Sequence, residues 1–287
     1  MAKDIDGFST LPPLEVVIAT HGLLARKSLG QHFLLDSAIT DRIAKYAGDL
    51  RRMNVIEIGP GPGGLTRSLL RADAQTLFAI EKDDRCIAAL EQIKHIAGDR
   101  LEIVHGDGME VDLIKNVPAP RKIVANLPYN VGTAMLINWL GDIHKHGAGA
   151  YESLTLMFQK EVAERIVASP GNKDFGRLSV LAQWLCDVRP DFELPPEAFS
   201  PPPKVSSMVI TLTPRLKPLV EVSKDTLEKI VAKAFGQRRK MLRQALKGLP
   251  VPAETLLEKA GIDGSLRAEA LDVQTLCRLA QTYEQLV

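Results

Sequence analysis

Val55-Ile56-Glu57-Ile58-Gly59-Pro60-Gly61-Pro62-Gly63-Gly64-Leu65-Thr66 is a short apolar run that breaks into glycines and resumes with helical spacing. It reads as a buried strand, a tight turn and the first turn of a helix. Glycines at 59, 61 and 64 let the chain turn sharply and let a ligand touch bare backbone. The same spacing is the dinucleotide fingerprint, so a dehydrogenase has to be weighed. Pro60 and Pro62 weigh against it, because neither has an N–H to offer a pyrophosphate.

Downstream, Leu77 to Ile80, Leu101 to Val104 and Ile123 to Ala125 are further apolar runs. Segments with helical spacing lie between the earlier ones, such as Leu65, Leu69, Leu70 and Ile87, Leu90, Ile93. Strand and helix in alternation imply an α/β fold with a parallel sheet covered on both faces. Leu154 to Phe158 reads as another strand and Met208 to Leu212 as a late edge strand, with Glu161 to Val167 and Leu178 to Leu185 helical between them. Pro195 to Pro203 is too proline-rich to be a flexible linker. From about Lys217 strand signals vanish and helical spacing continues, as in Leu227, Ile230, Val231 and Ala234. The expected division is a tail over 1–22, an α/β domain over 23–215 and a helical domain over 216–287.

Carboxylates recur where these strands end. Glu81 can accept both hydroxyls of a ribose, a role common to several nucleoside cofactors. Asp107, between Gly106 and Gly108, can accept from an adenine amine, although an aspartate between glycines is ordinarily a turn former. A phosphate-free nucleoside cofactor, S-adenosylmethionine, satisfies this set. The fourth strand runs into Asn126-Leu127-Pro128-Tyr129. An adenine amine is a poor nucleophile until acceptors hold its hydrogens, and the Asn126 side chain offers one. Pro128 forces Leu127 to be extended, which aims a second, main-chain acceptor, and Tyr129 supplies a flat face for a base. The ordinary alternative is a strand-to-loop turn with a buried tyrosine.

The remaining composition bounds the partners. Hydrophobic residues make up 45% and charged residues 25% of 287 residues, as in soluble globular proteins. Apolar stretches are too short for a membrane span, no secretory signal is readable, and three distant cysteines suit a reducing compartment, so a cytoplasmic protein is expected. No metal-ligand set is readable. Net charge is +1, so any affinity for nucleic acid has to be local. Lys233, Arg238, Arg239, Lys240, Arg243 and Lys247 form a run without an acidic residue. It suits RNA phosphates, and a solvated helix face is the plainer reading.

Further stretches carry a resemblance. They are Lys27-Ser28-Leu29-Gly30-Gln31-His32-Phe33-Leu34-Leu35-Asp36, Phe158-Gln159-Lys160-Glu161-Val162-Ala163-Glu164-Arg165 and Phe199-Ser200-Pro201-Pro202-Pro203-Lys204-Val205-Ser206-Ser207. With the glycine loop and Asn126 to Tyr129, they make the chain from Arg26 onward resemble the ribosomal RNA adenine dimethyltransferase family. Within it, the likeness is to bacterial enzymes that dimethylate two adjacent adenosines near the 3′ end of 16S ribosomal RNA. The resemblance implies a Rossmann-like class I methyltransferase with a mostly parallel seven-stranded sheet and a small all-helical RNA-recognition domain. It implies S-adenosyl-L-methionine as cofactor, 16S ribosomal RNA in the immature small subunit as partner, and a monomer without membrane attachment. His32 and Leu34 would lie over the cofactor, with Gly59, Gly61, Glu81, Asp107 and Asn126 completing its contacts.

His32 stands where many relatives have asparagine, so its contact would use the backbone; physically it reads more simply as a half-buried polar residue. Phe199 would be an aromatic wall opposite Tyr129 for a flipped base, where the residues alone favour a core aromatic. Arg238, Arg239, Lys240, Arg243 and Lys247 would touch RNA, with Arg26 and Lys27 adding to that surface. Two rivals remain: a non-catalytic assembly or transcription factor that kept the fold, and a methyltransferase acting on 23S ribosomal RNA.

Overall fold

The computed structural model describes residues 5–23 and 32–287. A 3-10 turn (Ile5–Thr10) and helix α1 (Leu14–Thr20) open the chain. Phe8, Leu14, Val17 and Leu23 are buried, so apolar contacts hold a stretch in which sequence periodicity indicates only a tail. Next come β1 (Phe33–Leu34), α2 (Ser37–Tyr46), β2 (Asn54–Ile58), α3 (Gly64–Arg71), β3 (Thr76–Glu81), α4 (Asp84–Ala97) and β4 (Leu101–His105). They are followed by α5 (Leu113–Asn116), β5 (Arg121–Asn126), α6 (Gly132–His146), β6 (Ser153–Gln159), α7 (Lys160–Val167), α8 (Arg177–Leu185) and β7 (Cys186–Leu194). The last elements are β8 (Phe199–Ser200), β9 (Ser207–Pro214), α9 (Lys224–Gly236), α10 (Leu242–Ala245), α11 (Ala253–Ala260) and α12 (Val273–Leu286). Arg26, Lys27 and the stretch up to Gln31 lie outside the described residues.

The seven-stranded sheet has the order β4-β3-β2-β5-β6-β9-β7. β4, β3, β2, β5 and β6 are parallel, and β9 runs antiparallel to β6. Strand order reverses between β2 and β5, and ligands of open α/β sheets bind beyond the strand ends at that crevice. Met208 to Leu212 is therefore not the sheet edge. β7 takes that place, and its alternating, mostly polar pattern with Pro190 hides it from a hydrophobicity reading while suiting an edge, where proline forfeits no ladder bond.

Contacts divide the chain into two compact units, one of residues 1–138, 149–163 and 190–213, the other of 139–148, 164–189 and 214–287. In the first, Val55, Leu77, Ala79, Val124 and Met157 share a core with Ile43 of α2, Leu65 and Leu69 of α3, and Leu90 and Ile93 of α4. Side-chain caps from Asp36 and Asp83 start α2 and α4. In the second, α8, α9, α11 and α12 pack together. Trp184 is buried and donates to the Val220 carbonyl at 2.8 Å, which ties residues 164–189 to the carboxyl-terminal helices. All three cysteines are buried, and burial pushes the Cys186 and Cys277 thiols up to about 12. Among the described residues no helix is long and apolar enough to cross a membrane.

Candidate active site

At the carboxyl ends of β2, β3, β4 and β5 lies an open cleft. Its walls bring together His32, Leu34, Gly59, Gly61, Glu81, Asp107, Asn126, Leu127, Pro128 and Tyr129, residues that the sequence scatters over almost a hundred positions. Gly59 has φ +67°, a left-handed conformation, and a Cβ there would meet nothing nearer than Pro128 Cδ at 4.0 Å, so the open space beside it belongs to the cleft. Gly64 is different: a Cβ there would collide with the Leu34 carbonyl oxygen at 2.8 Å, so this glycine serves close packing. α3 starts after Gly63 without a side-chain cap, with Gly64 and Leu65 of its first turn in the cleft wall.

The two strand-end carboxylates are held differently. Glu81 is nearly buried, and its Oε1 accepts from the Lys82 and Asp83 N–H groups at 2.8 and 2.9 Å while Oε2 accepts from Gly61 N–H at 3.1 Å. Burial raises its pKa above the usual carboxylate value against the pull of those three bonds. Asp107 accepts from Met109 N–H at 2.9 Å and pairs with Lys82 Nζ at 3.2 Å. The Met109 bond, with the Lys82 charge beside it, keeps its pKa below the usual value.

Asn126 donates its amide N–H to the His32 carbonyl at 3.1 Å. Only the nitrogen of an amide can donate to a carbonyl, so Oδ1 is left as the acceptor. The Tyr129 hydroxyl lies 2.5 Å from Ser207 Oγ, which anchors the ring. The His32 ring stacks on Tyr129, with centroids 5.4 Å apart and planes 29° from parallel. Phe199 does not line this cleft. Its register partner across β1 and β8 is Leu34, and its ring is 4% exposed within the apolar core, which is the core-aromatic placement.

Sequence reasoning passed over Glu57, Lys82 and Ser207. Glu57 lines the cleft, yet is 2% exposed, and burial pushes its carboxyl up to about 8. Its signal was available, since an acid inside an apolar strand demands a partner.

In the helical unit Arg238, Arg239, Lys240, Arg243 and Lys247 are all exposed. Their acid-free run nonetheless meets an acid and main-chain carbonyls from elsewhere. Arg238 donates to the Lys173 and Phe175 carbonyls at 2.6 and 2.7 Å and lies 3.9 Å from Glu269. Arg243 packs beside Gly264, and its main-chain N–H donates to that residue's carbonyl.

The family model for ribosomal RNA adenine dimethylase matches residues 22–285. A protein of Rhodospirillum rubrum named ribosomal RNA small subunit methyltransferase A is 53% identical over 96% of this chain and 93% of its own. A protein of the same name from Chelativorans is 56% identical over 94% of this chain and 98% of its own. Among solved structures, a dimethyladenosine transferase from Plasmodium falciparum matches with TM-score 0.77 and 24% identity over 88% of this chain and 98% of its own. The 23S rRNA methyltransferase ErmE matches with TM-score 0.65 and 26% identity over 88% of this chain and all of its own. With a family model spanning the chain from residue 22 and full-length relatives sharing half its residues, this protein belongs to the ribosomal RNA adenine dimethylase family.

Proposed function

We propose that this enzyme transfers methyl groups from S-adenosylmethionine to the N6 amines of two adjacent adenosines near the 3′ end of 16S ribosomal RNA. The observation that carries this reading is the meeting, in one cleft, of the Gly59 cradle, the Glu81 and Asp107 carboxylates and the Asn126 to Tyr129 corner. The small-subunit assignment is supported by relatives of that name at 53% and 56% identity, against 26% for the 23S enzyme.

The cleft suits the cofactor. Open backbone at Gly59 admits a flat or polar ligand, two carboxylates supply acceptors for a ribose and an adenine amine, and the prolines of the loop withhold donors that only a phosphate would need. Glu81, Asp107, Gly59 and Gly61 would hold it, with His32, Leu34 and Asn126 closing the site. When bound, S-adenosylmethionine supplies an electrophilic methyl group.

The chain's own part is positioning. Asn126 Oδ1 accepts a hydrogen of the target amine and, with the Leu127 carbonyl, turns its lone pair out of conjugation with the ring. Tyr129, anchored by Ser207, offers the base a face, so orientation and preorganised dipoles do most of the work. Asn126 cannot take a proton, and the amine therefore loses its proton only after it has become cationic. Arg239, Lys240, Arg243 and Lys247 reach RNA phosphates, and the substrate is the immature small subunit, bound by a monomer.

The test is incubation of the purified protein with unmethylated small subunits and S-adenosylmethionine, followed by mass spectrometry of the digested RNA. Dimethylated adenosine at the two adjacent 16S positions is expected. Methylation of 23S RNA instead, or none, would overturn the reading.

A further inference from the structure

We propose that Arg85 is a positioning residue of the cofactor site: through Asp83 it keeps the Glu81 carboxylate fixed for the cofactor ribose. This rests on the reading of Glu81 as the acceptor for that ribose. Glu81 Oε1 accepts from the Asp83 N–H at 2.9 Å, so the turn between β3 and α4 holds the carboxylate. Asp83 is held in turn by Arg85, whose Nε and Nη2 donate to Oδ1 and Oδ2 at 3.0 and 2.6 Å. The Arg85 main-chain N–H also donates to Oδ1, at 3.1 Å, and starts α4. A two-pronged pair of this kind fixes orientation as well as charge. Neither Asp83 nor Arg85 is in the cleft wall, so their effect on the cofactor passes through Glu81.

The guanidinium is tied on its other side as well. Nη1 donates to the Gly22 carbonyl at 2.9 Å, and Val17 and Leu23 of the same amino-terminal stretch pack with Cys86 and Ala89 of α4. The stretch that periodicity leaves as a tail thus holds Arg85 in place. Charge gives the arrangement its consequence. The Asp83 carboxylate is buried, and its charge adds to burial in raising the Glu81 pKa. Glu57 on β2, raised to about 8 by burial, and the Cys86 thiol, also pushed up by burial, keep their protons at neutral pH. Lys82 is turned toward Asp107, with Nζ 3.2 Å from Oδ2. Arg85 therefore offsets the charge that opposes ionisation of Glu81. Ionised, Glu81 can accept from both ribose hydroxyls, and a proton on it takes acceptor capacity away.

Titration calorimetry of the full chain with S-adenosylhomocysteine, from about pH 5 to about pH 8, tests this. Arg85→Ala should raise Kd about threefold to tenfold at neutral pH, and on acidification its affinity should fall away at a higher pH than in wild type. On unmethylated small subunits KM for S-adenosylmethionine should rise with it, while kcat at saturation stays. Arg85→Lys keeps the charge without the fork, so it should show the wild-type pH profile with an intermediate Kd. Adding Asp83→Asn to Arg85→Ala keeps a cap for α4 and removes the repelling charge, which should move the acid limb back toward wild type. If Arg85→Ala keeps the wild-type Kd and profile while Glu81→Ala loses affinity, the positioning role is overturned and the ribose reading stands. An acid limb that the double variant does not move back overturns it too. Should Arg85→Ala fail to fold, an unchanged Kd in Arg85→Lys is the overturning result. If Glu81→Ala itself binds like wild type, the reading of Glu81 fails and this proposal with it.

Discussion

Thr66 Oγ1 donates a 2.7 Å hydrogen bond to Oε2 of Glu57, a carboxyl buried beneath the glycine loop. Burial, with the Glu81 charge nearby, raises its pKa from 4.5 to about 8, so folded protein keeps a proton that unfolded chain releases. Stability is then full below the unfolded value and falls as pH rises from about 4.5 to about 8, by up to about 1.4 kcal/mol per pH unit. Glu57→Gln keeps an acceptor for Thr66 and carries no titrating proton. Denaturant melts across this pH range should show a flatter profile for the variant, and an unchanged slope would mean that Glu57 is ionised in the fold.

Glu81→Ala and Asp107→Ala should each weaken S-adenosylmethionine binding by about 1 to 3 kcal/mol, the cost of leaving donors unpaired. The Glu81 variant should lose more, because it also strips partners from the N–H groups of Gly61, Lys82 and Asp83. Calorimetry with S-adenosylhomocysteine measures this, and equal affinity in both variants and wild type would remove these residues from the cofactor site.

Asn126→Ala removes the aimed acceptor. Methylation should slow by a factor on the order of a hundred or more, with binding to the small subunit nearly unchanged. Single-turnover rates at wild-type level would refute the role of Asn126.

The basic run should divide in two. Replacing Arg239, Arg243 and Lys247 with alanine should weaken binding to the small subunit and lower its salt slope by about one per lost phosphate contact. Arg238→Ala should lower the melting temperature of the chain, because two main-chain carbonyls lose a charged donor. A triple variant with an unchanged salt slope would make the run a solvated helix face.

Much of the cleft is legible in the sequence. The strand, glycine turn and helix at Val55 to Thr66, and the polar residues at the ends of the next strands, are encoded within a few neighbouring positions. Apolar runs alternating with helical spacing imply parallel strands, and parallel strands put their carboxyl ends on one side. Glu81, Asp107 and Asn126 therefore meet in one cleft by a rule that needs no coordinates.

What the residues alone could not decide depends on partners far along the chain. The place of Met208 to Leu212 inside the sheet depends on β7, whose polar alternation and Pro190 carry no strand signal of the usual kind. Phe199 goes to the core because β8 pairs with β1, and that same pairing brings the Pro201 carbonyl to His32. Arg238 meets the carbonyls of Lys173 and Phe175, which no reading of its own run would reveal. Local sequence thus determined the strands and helices around the cleft, the turn and the chemistry at each strand end, because backbone preference and periodicity act over a few residues. Tertiary structure alone decided which aromatic ring covers Tyr129, because burial and ring contacts are set by strand pairing between segments distant in the chain.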